Sequence, residues 1–502
     1  MCGIAGEFGH PRPDGGRRML ERMEHRGPDD QGEVQLGRSW LGHRRLSIVD
    51  VESGHQPLVT ADGELWLVGN GEIYNHEEVR SEIGSAEYST RSDNEVALHL
   101  LAARGPEALG ELEGMFALLA AGPDGGFMAA RDPVGIKPLY WARKNERVQF
   151  ASEMAAFDTE MQAFVEVFPP GCYWMPEAGL ERFATAVPQG GGAPPQEGDA
   201  ERERQETRQV LIGSVERQMM GDVPVGVFLS GGLDSTLVAA IAARALAQQG
   251  ERLQTFAVGT EGSPDLLAAR VAAEYLGTAH HERIYTAREA LDAVPAVVRT
   301  IEHFDPSLVR SAVPNFLLAE MTARHVKVVL TGEGADELFA GYEYLRDFSD
   351  PDRLHAEITR TVEGLHNLNL QRCDRVTMAH GLEARVPFLD REVIAFALGL
   401  PAASKLAGPG QPEKRLLREA FSGWLPDELL WRGKSQFGDG SGAASVLTEA
   451  MEDLVGEAEF DHERHVLDPP LRTREELAYF RIFSEHLPGV WPEQTVGRFA
   501  TA

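Results

Sequence analysis

Cys2 is the first residue in the chain placed to do chemistry. The sequence opens Met1-Cys2-Gly3-Ile4-Ala5-Gly6. Removal of Met1 would leave Cys2 with a free α-amino group beside its thiol. The thiol is then a nucleophile, and the amine, with a pKa of about 7.7–8.0, is a base on the same residue. A second chemical cluster is Ser230-Gly231-Gly232-Leu233-Asp234-Ser235. Two adjacent glycines let the backbone turn tightly against a phosphate. The Ser230 and Ser235 hydroxyls and the N–H groups of a following helix can donate to its oxygens. Asp234 would repel a bare anion, so it suits a Mg²⁺ that accompanies the phosphates. The Lys-Ser/Thr ending of a Walker loop is missing. A third cluster is Thr331-Gly332-Glu333-Gly334-Ala335-Asp336-Glu337. Its carboxylates can hold a metal or accept a proton.

These clusters need elements to position them. Apolar stretches at 64–69, 115–120, 126–130 and 147–151 alternate with turns and predict strands, with a helix over 94–104 among them. A Gly/Pro run from Pro188 to Pro195 has no hydrophobic periodicity and marks a linker. Beyond a solvated entry helix at 201–219, strand and helix alternate. Strands are predicted at 223–229, 253–258 and 326–330, and helices at 234–248 and 265–276. That alternation implies a parallel sheet, with ligands bound at the C-terminal ends of its strands. The expected division is 1–187, a linker at 188–203, and 204–502.

Composition narrows the setting. Hydrophobic residues make up 43% and charged residues 25% of 502 residues, which is the profile of a globular protein of two or three domains. No apolar run approaches the roughly 20 residues of a membrane span, and no signal peptide is evident. A net charge of −30 argues against nucleic acid and against an anionic membrane surface. Cys2, Cys172 and Cys373 show neither metal-ligand spacing nor a disulfide framework, which fits a reducing, cytoplasmic compartment.

The motifs together resemble those of the glutamine-dependent asparagine synthetases over nearly the whole chain. The first half resembles a class II glutamine amidotransferase. The signs are Cys2-Gly3-Ile4, His25-Arg26-Gly27-Pro28-Asp29, the runs 42–50 and 70–76, Ser92-Asp93, and 131–140. The second half resembles a pyrophosphatase-loop ATPase, through 230–235, 262–265, 276–282, 332–337, 381–390 and Lys434-Ser435-Gln436-Phe437. The implied fold is an α+β N-terminal-nucleophile domain, an αββα sandwich, followed by an α/β parallel-sheet domain.

The resemblance implies a role for each residue. Cys2 would attack glutamine, with Asn70 and Gly71 donating to the oxyanion. Arg45, Leu46, Ile48, Asn70, Glu72 and Asp93 would hold the glutamine. Leu229, the loop 230–235 (Ser230, Gly231, Gly232, Leu233, Asp234, Ser235), Val258, Asp265, Thr331, Gly332 and Lys434 would bind ATP. Asp234 and Asp336 would carry Mg²⁺. Arg310, Glu333 and Tyr342, the last beside Glu333, would form the acceptor pocket, with Glu333 taking a proton from ammonia.

The implied reaction is glutamine-fed conversion of L-aspartate to L-asparagine through an acyl-adenylate, in a homodimer. An enclosed ammonia tunnel, apolar and with few charges, is expected between Cys2 and Glu333. The segment Pro306–Pro314 departs from the family pattern, with Leu308, Ala312 and Val313 where hydroxylated residues are common, and Ala335 stands in place of a serine. The alternatives are therefore an amidotransferase acting on a different carboxylic acid and a non-catalytic regulatory homologue. His280-His281-Glu282 reads as structural, since adjacent strand residues point to opposite faces.

Overall fold

The computed structural model describes residues 2–84, 86–187, 200–348, 350–407, 411–433 and 444–499. Met1, the run 188–199 and the Lys434–Phe437 motif lie outside the described residues.

Two antiparallel six-stranded sheets occupy the first half. One has the order Val165–Val167, Tyr140–Lys144, Arg147–Ala151, Cys2–Phe8, Ser39–Arg45, Asp30–Leu36. The other runs Gly179–Arg182, Cys172–Met175, Phe127–Arg131, Gly114–Ala121, Trp66–Ile73, Leu58–Val59. Side-chain alternation explains the layering. Along Gly114–Ala121, residues Ala117, Leu119 and Ala121 pack against Ile4, Phe8 and Phe150 of the other sheet. Phe116, Leu118 and Ala120 face the opposite way, onto Val96, Leu98 and Leu100 of the helix Asn94–Arg104. The helix Pro13–Arg22 covers the outer face of the first sheet through Met19 and Leu20, packed with Trp40 and Ala5. The result is helix, sheet, sheet, helix.

The second half is built on a five-stranded parallel sheet ordered Ala279–Ile284, Gln254–Gly259, Val225–Phe228, Val328–Leu330, Glu383–Arg385. Strands Val225–Phe228 and Val328–Leu330 are neighbours, so the loops after them meet at one edge of the sheet. The helices Leu233–Gln248 and Pro264–Leu276 are close to expectation. The strand read at 223–229 is shorter, since Pro224 cannot donate to a ladder.

Two strands differ more. Cys2–Phe8 is a central strand despite two glycines, and Trp66–Ile73 runs through Asn70, Gly71 and Glu72. Chemistry in the first half is therefore carried on strands. His280 Nδ1 meets Thr255 Oγ1 at 3.0 Å, while the His281 ring stacks on Phe256, so each has its own structural contact.

The layer between the two sheets is aromatic. Phe150 is fully buried, with ring centroids 5.3 Å from Phe127 and 5.6 Å from Trp174. Phe150→Ala should lower the stability of this half by about 3–5 kcal/mol. The check is a lowered urea midpoint and loss of Cys2 chemistry before any loss of nucleotide chemistry.

Candidate active site

Cys2 lies opposite Arg45 in the strand register, so the nucleophile begins beside a cation. Burial pushes the Cys2 thiol up, while the Leu46 N–H and the Arg45 charge pull it down and Glu72 adds to the rise. The Cys2 N–H donates to Asn70 Oδ1 at 2.8 Å. That bond fixes which end of the amide is oxygen. It leaves the buried Asn70 Nδ2 with no partner among the described residues. A free amide donor next to a thiol is what an oxyanion site requires. Gly71 follows with φ +148°, where a Cβ would lie 1.8 Å from the Met115 carbonyl oxygen. Only glycine fits there. Asn94 Nδ2 donates to the Gly71 carbonyl at 3.0 Å and so holds the peptide in place.

The Arg45 guanidinium is tied to the Val49, Asp50 and Val51 carbonyls at 3.1, 2.7 and 3.3 Å. No carboxylate pairs with it among the described residues, so its charge remains available to an anion. Asp93 accepts from the Ile73 N–H at 2.7 Å. Glu72 is buried, and burial together with Glu383 and Asp93 holds its carboxyl well above the usual range.

The phosphate loop has its own geometry. Gly231 has φ +71°, and a Cβ there would lie 2.5 Å from Ala268 Cβ. Ser230 Oγ and Ser235 Oγ are 3.0 Å apart, and the helix Leu233–Gln248 begins at Gly232 without a side-chain cap. Its first N–H groups therefore face an anion site. A Cβ on Gly332 would meet Asp234 Cβ at 2.9 Å, which measures how closely the two loops approach.

Lys414 joins them. Its Nζ is 2.5 Å from Asp234 and 2.7 Å from Asp336. Burial alone would lower the pKa of Lys414, but the two carboxylates hold it above the ordinary value. Because both oxygens reach one ammonium, they are close enough to share a divalent cation. Mg²⁺ commonly takes one or two protein carboxylates and completes its shell with phosphate and water. The residues present fit that ion. Lys414 sits at φ +54°, a strained conformation for a lysine, as is frequent at functional positions.

Other placements differ from expectation. Glu333 forms an ion pair with Arg372. The Tyr342 hydroxyl donates to Glu337 Oε1 at 2.6 Å, because Glu337 is the carboxylate its ring can reach. Burial and the neighbouring Asp336 raise the Glu337 carboxyl to about 7. Arg310 contacts Thr448 Oγ1 at 3.2 Å and Glu475 at 3.8 Å on the C-terminal helices. Asp265 is held by Arg432 at 2.9 Å, and the same guanidinium donates to the Gly231 carbonyl at 3.0 Å.

The interface between the halves carries buried ion pairs. Arg26 donates Nε to the Cys2 carbonyl at 3.0 Å and pairs with Glu153 and Asp374, both at 2.8 Å. Arg375 pairs with Glu153 and Glu302 at 2.8 and 2.9 Å. Glu302 accepts from the Met154 and Ala155 N–H groups at 2.9 and 2.6 Å. Two guanidiniums thus serve three carboxylates, and burial raises the third, Glu302, to about 7.

Comparison with known proteins decides the family. A glutamine amidotransferase domain matches residues 1–171, and the asparagine synthase family matches 206–350 and 345–487. A glutamine-hydrolysing asparagine synthetase of Asparagus officinalis is 40% identical over 88% of this chain and 78% of its own length. One from Arabidopsis thaliana is 37% identical over 97% of this chain and 86% of its own. A probable one from Schizosaccharomyces pombe is 38% identical over 94% and 90%. This chain belongs to the glutamine-hydrolysing asparagine synthetase family.

Within that family frame, Cys2, Arg45, Leu46, Asn70, Gly71, Glu72 and Asp93 come together on the first half's strands and adjoining turns. Asp234, Ser230, Ser235, Gly332 and Asp336 come together on the parallel sheet. Leu229 and Val258 are buried near the ends of its strands. Ile48 packs across the interface on Val328. The sequence reading assigned no role to Asn94, Lys414, Arg372 or Arg432. Arg26 was quoted in a motif but given no role, and Lys414 carried no local signal beyond following Glu413.

Asn70→Ala should reduce glutamine turnover by about 10²–10³ in kcat with little change in KM, since the missing donor acts on the transition state. Steady-state ammonia release measures it. An unchanged kcat would remove Asn70 from the oxyanion site.

Proposed function

We propose that this family member makes L-asparagine from L-aspartate, glutamine and ATP. The observation that carries the reading is the buried Cys2 facing a free Asn70 amide, on the same chain as a phosphate loop with two converging aspartates. The Cys2 thiol gives its proton to the α-amino group exposed by removal of Met1 and attacks the side-chain amide of glutamine; that amine then passes the proton to the departing nitrogen. Asn70 Nδ2 and the Gly71 N–H receive the oxyanion, ammonia leaves, and water later cleaves the thioester. Arg45 binds the glutamine carboxylate, and Asp93 with Glu72 binds its ammonium.

In the second half the phosphate loop and Arg432 orient ATP, with Lys434 as a further cation. The aspartate side-chain carboxylate attacks the α-phosphorus and diphosphate departs. Ammonia then attacks the acyl carbon, Glu333 accepts a proton, and AMP leaves. Asp234 and Asp336 would hold Mg²⁺, which would supply charge neutralisation on the phosphates.

The acceptor is supported by the helix Pro306–Thr322. Leu308, Ala312 and Val313, where the sequence departs from the family, are fully packed. Ser307, Arg310 and Ser311 form a separate, half-buried polar face. The departures thus lie on the packed side and leave the polar face of an aspartate site intact.

The reading also includes a homodimer in the cytoplasm without a nucleic-acid or membrane partner. The charge of −30 argues against nucleic-acid and anionic-membrane partners, and among the described residues no helix is long and apolar enough to cross a membrane.

Cys2→Ala should abolish glutamine use by more than about 10³ while synthesis from ammonium salts continues. Mass spectrometry of the product tests the acceptor. Asparagine formed from aspartate, with AMP and diphosphate, supports the reading, and an active glutaminase that makes none from aspartate excludes it. In Glu333→Gln, aspartyl-adenylate should accumulate in rapid-quench experiments, with amide formation slowed about 10²-fold or more. Equal loss of adenylation would make Glu333 a nucleotide or metal ligand instead.

A further inference from the structure

The helix Asn369–Met378 reaches both reaction centres, and no step described so far uses it. Arg372, on one side of it, pairs with Glu333. Asp374 accepts from both terminal nitrogens of Arg26, at 2.8 and 3.2 Å. Arg26 donates to the Cys2 carbonyl at 3.0 Å. Two residues along a helix turn the side chain by about 200°, so Arg372 and Asp374 leave on nearly opposite faces. Arg26, Arg372 and Asp374 are 0, 5 and 4% exposed. The helix thus stands between the two centres, with one ion pair directed at each.

Resting on the roles given above to Cys2 and Glu333, we infer that Asp374 is a positioning residue of the glutaminase site supplied by the synthetase half. The inference extends to the helix itself, which passes the state of the Glu333 site to Cys2. The local charge balance gives the reason. Glu153 Oε1 is shared by Arg26 and Arg375, each at 2.8 Å. Without the Asp374 charge, Arg26 is drawn toward Glu153 alone and its hold on the Cys2 carbonyl changes. At the other end, substrates that engage Glu333 alter its pairing with Arg372. A shift of the helix then moves Asp374 against Arg26. Two sites that bias one rigid element are coupled in both directions.

The experiment uses the full chain and reads alkylation of Cys2 by iodoacetamide, with and without Mg-ATP plus aspartate. Ammonium-fed asparagine synthesis is assayed alongside. In the unmodified protein the ligands should change the alkylation rate by about threefold or more. Asp374→Asn should abolish that difference and lower glutaminase kcat about tenfold with KM little changed, while ammonium-fed synthesis stays within about twofold. Asp374→Glu, which keeps the charge, should restore most of the difference. Glu302→Gln loosens the same helix at Arg375 without removing any hydrogen bond of Arg26, and it should retain the ligand effect.

No ligand effect in the unmodified protein, or one that survives Asp374→Asn, overturns the inference. So does equal loss in Glu302→Gln, or loss of ammonium-fed synthesis in Asp374→Asn, because either would make the residue a mere strut between the halves. Failure of the unmodified protein to make asparagine from ammonium would instead count against the functional reading, which is scored separately.

Discussion

Pairing of buried charge is the constraint on which the rest of this structure depends. Arg26, Glu153, Glu302, Asp374 and Arg375 lie between the two halves with almost no solvent contact. Removing a charge from water costs several kcal/mol unless a partner sits at hydrogen-bond distance. The halves can therefore dock in few orientations, because a displaced interface would leave a guanidinium or carboxylate alone. Such a network adds little net strength compared with an apolar contact, but it penalises misalignment heavily. Exposed pairs such as Arg288–Asp292 at 2.9 Å lie on one helix surface, where they contribute only a few tenths of a kcal/mol and constrain nothing.

Catalytic geometry inherits that constraint. The Cys2 carbonyl is held by Arg26, whose other nitrogens belong to the interface network. Arg385, also fully buried, pairs with Glu383 at 2.5 Å and approaches Glu72 at 3.5 Å, so a glutamine-site carboxylate borrows its counter-charge from the synthetase half.

Local chemistry was legible in the sequence, and long-range pairing was not. The strand–SGGLDS–helix pattern announces the phosphate loop because glycine, serine and helix start act within six consecutive residues. Hydrophobic periodicity located Gly114–Ala121, Gln254–Gly259, Leu233–Gln248 and Pro264–Leu276 for the same reason, while many short strands and helices carried no such signal. Arg26 and Asp374 are 348 residues apart, and nothing in either segment signals the other. Lys414 likewise lies 180 residues from Asp234. Tyr342 was expected beside Glu333, and its hydroxyl also finds Glu337, a neighbour that the motif alone does not single out. Arg310 is also held by Thr448 and Glu475, on helices that motif reading did not place.

The Asp234–Lys414–Asp336 group shows how the pairing rule extends to the nucleotide. Two carboxylates so close together repel each other and any triphosphate that approaches. The ammonium of Lys414 relieves that repulsion in the protein alone, which explains why its backbone tolerates φ +54°. Asp234 and Asp336 would also suit a divalent cation, which would supply charge neutralisation on the phosphates of a bound nucleotide. In the protein alone, one ammonium stabilises both carboxylates. The cost is a strained residue at position 414, and the close approach of Gly341, where a Cβ would lie 2.3 Å from Lys414 Cε, leaves no room for a bulkier neighbour.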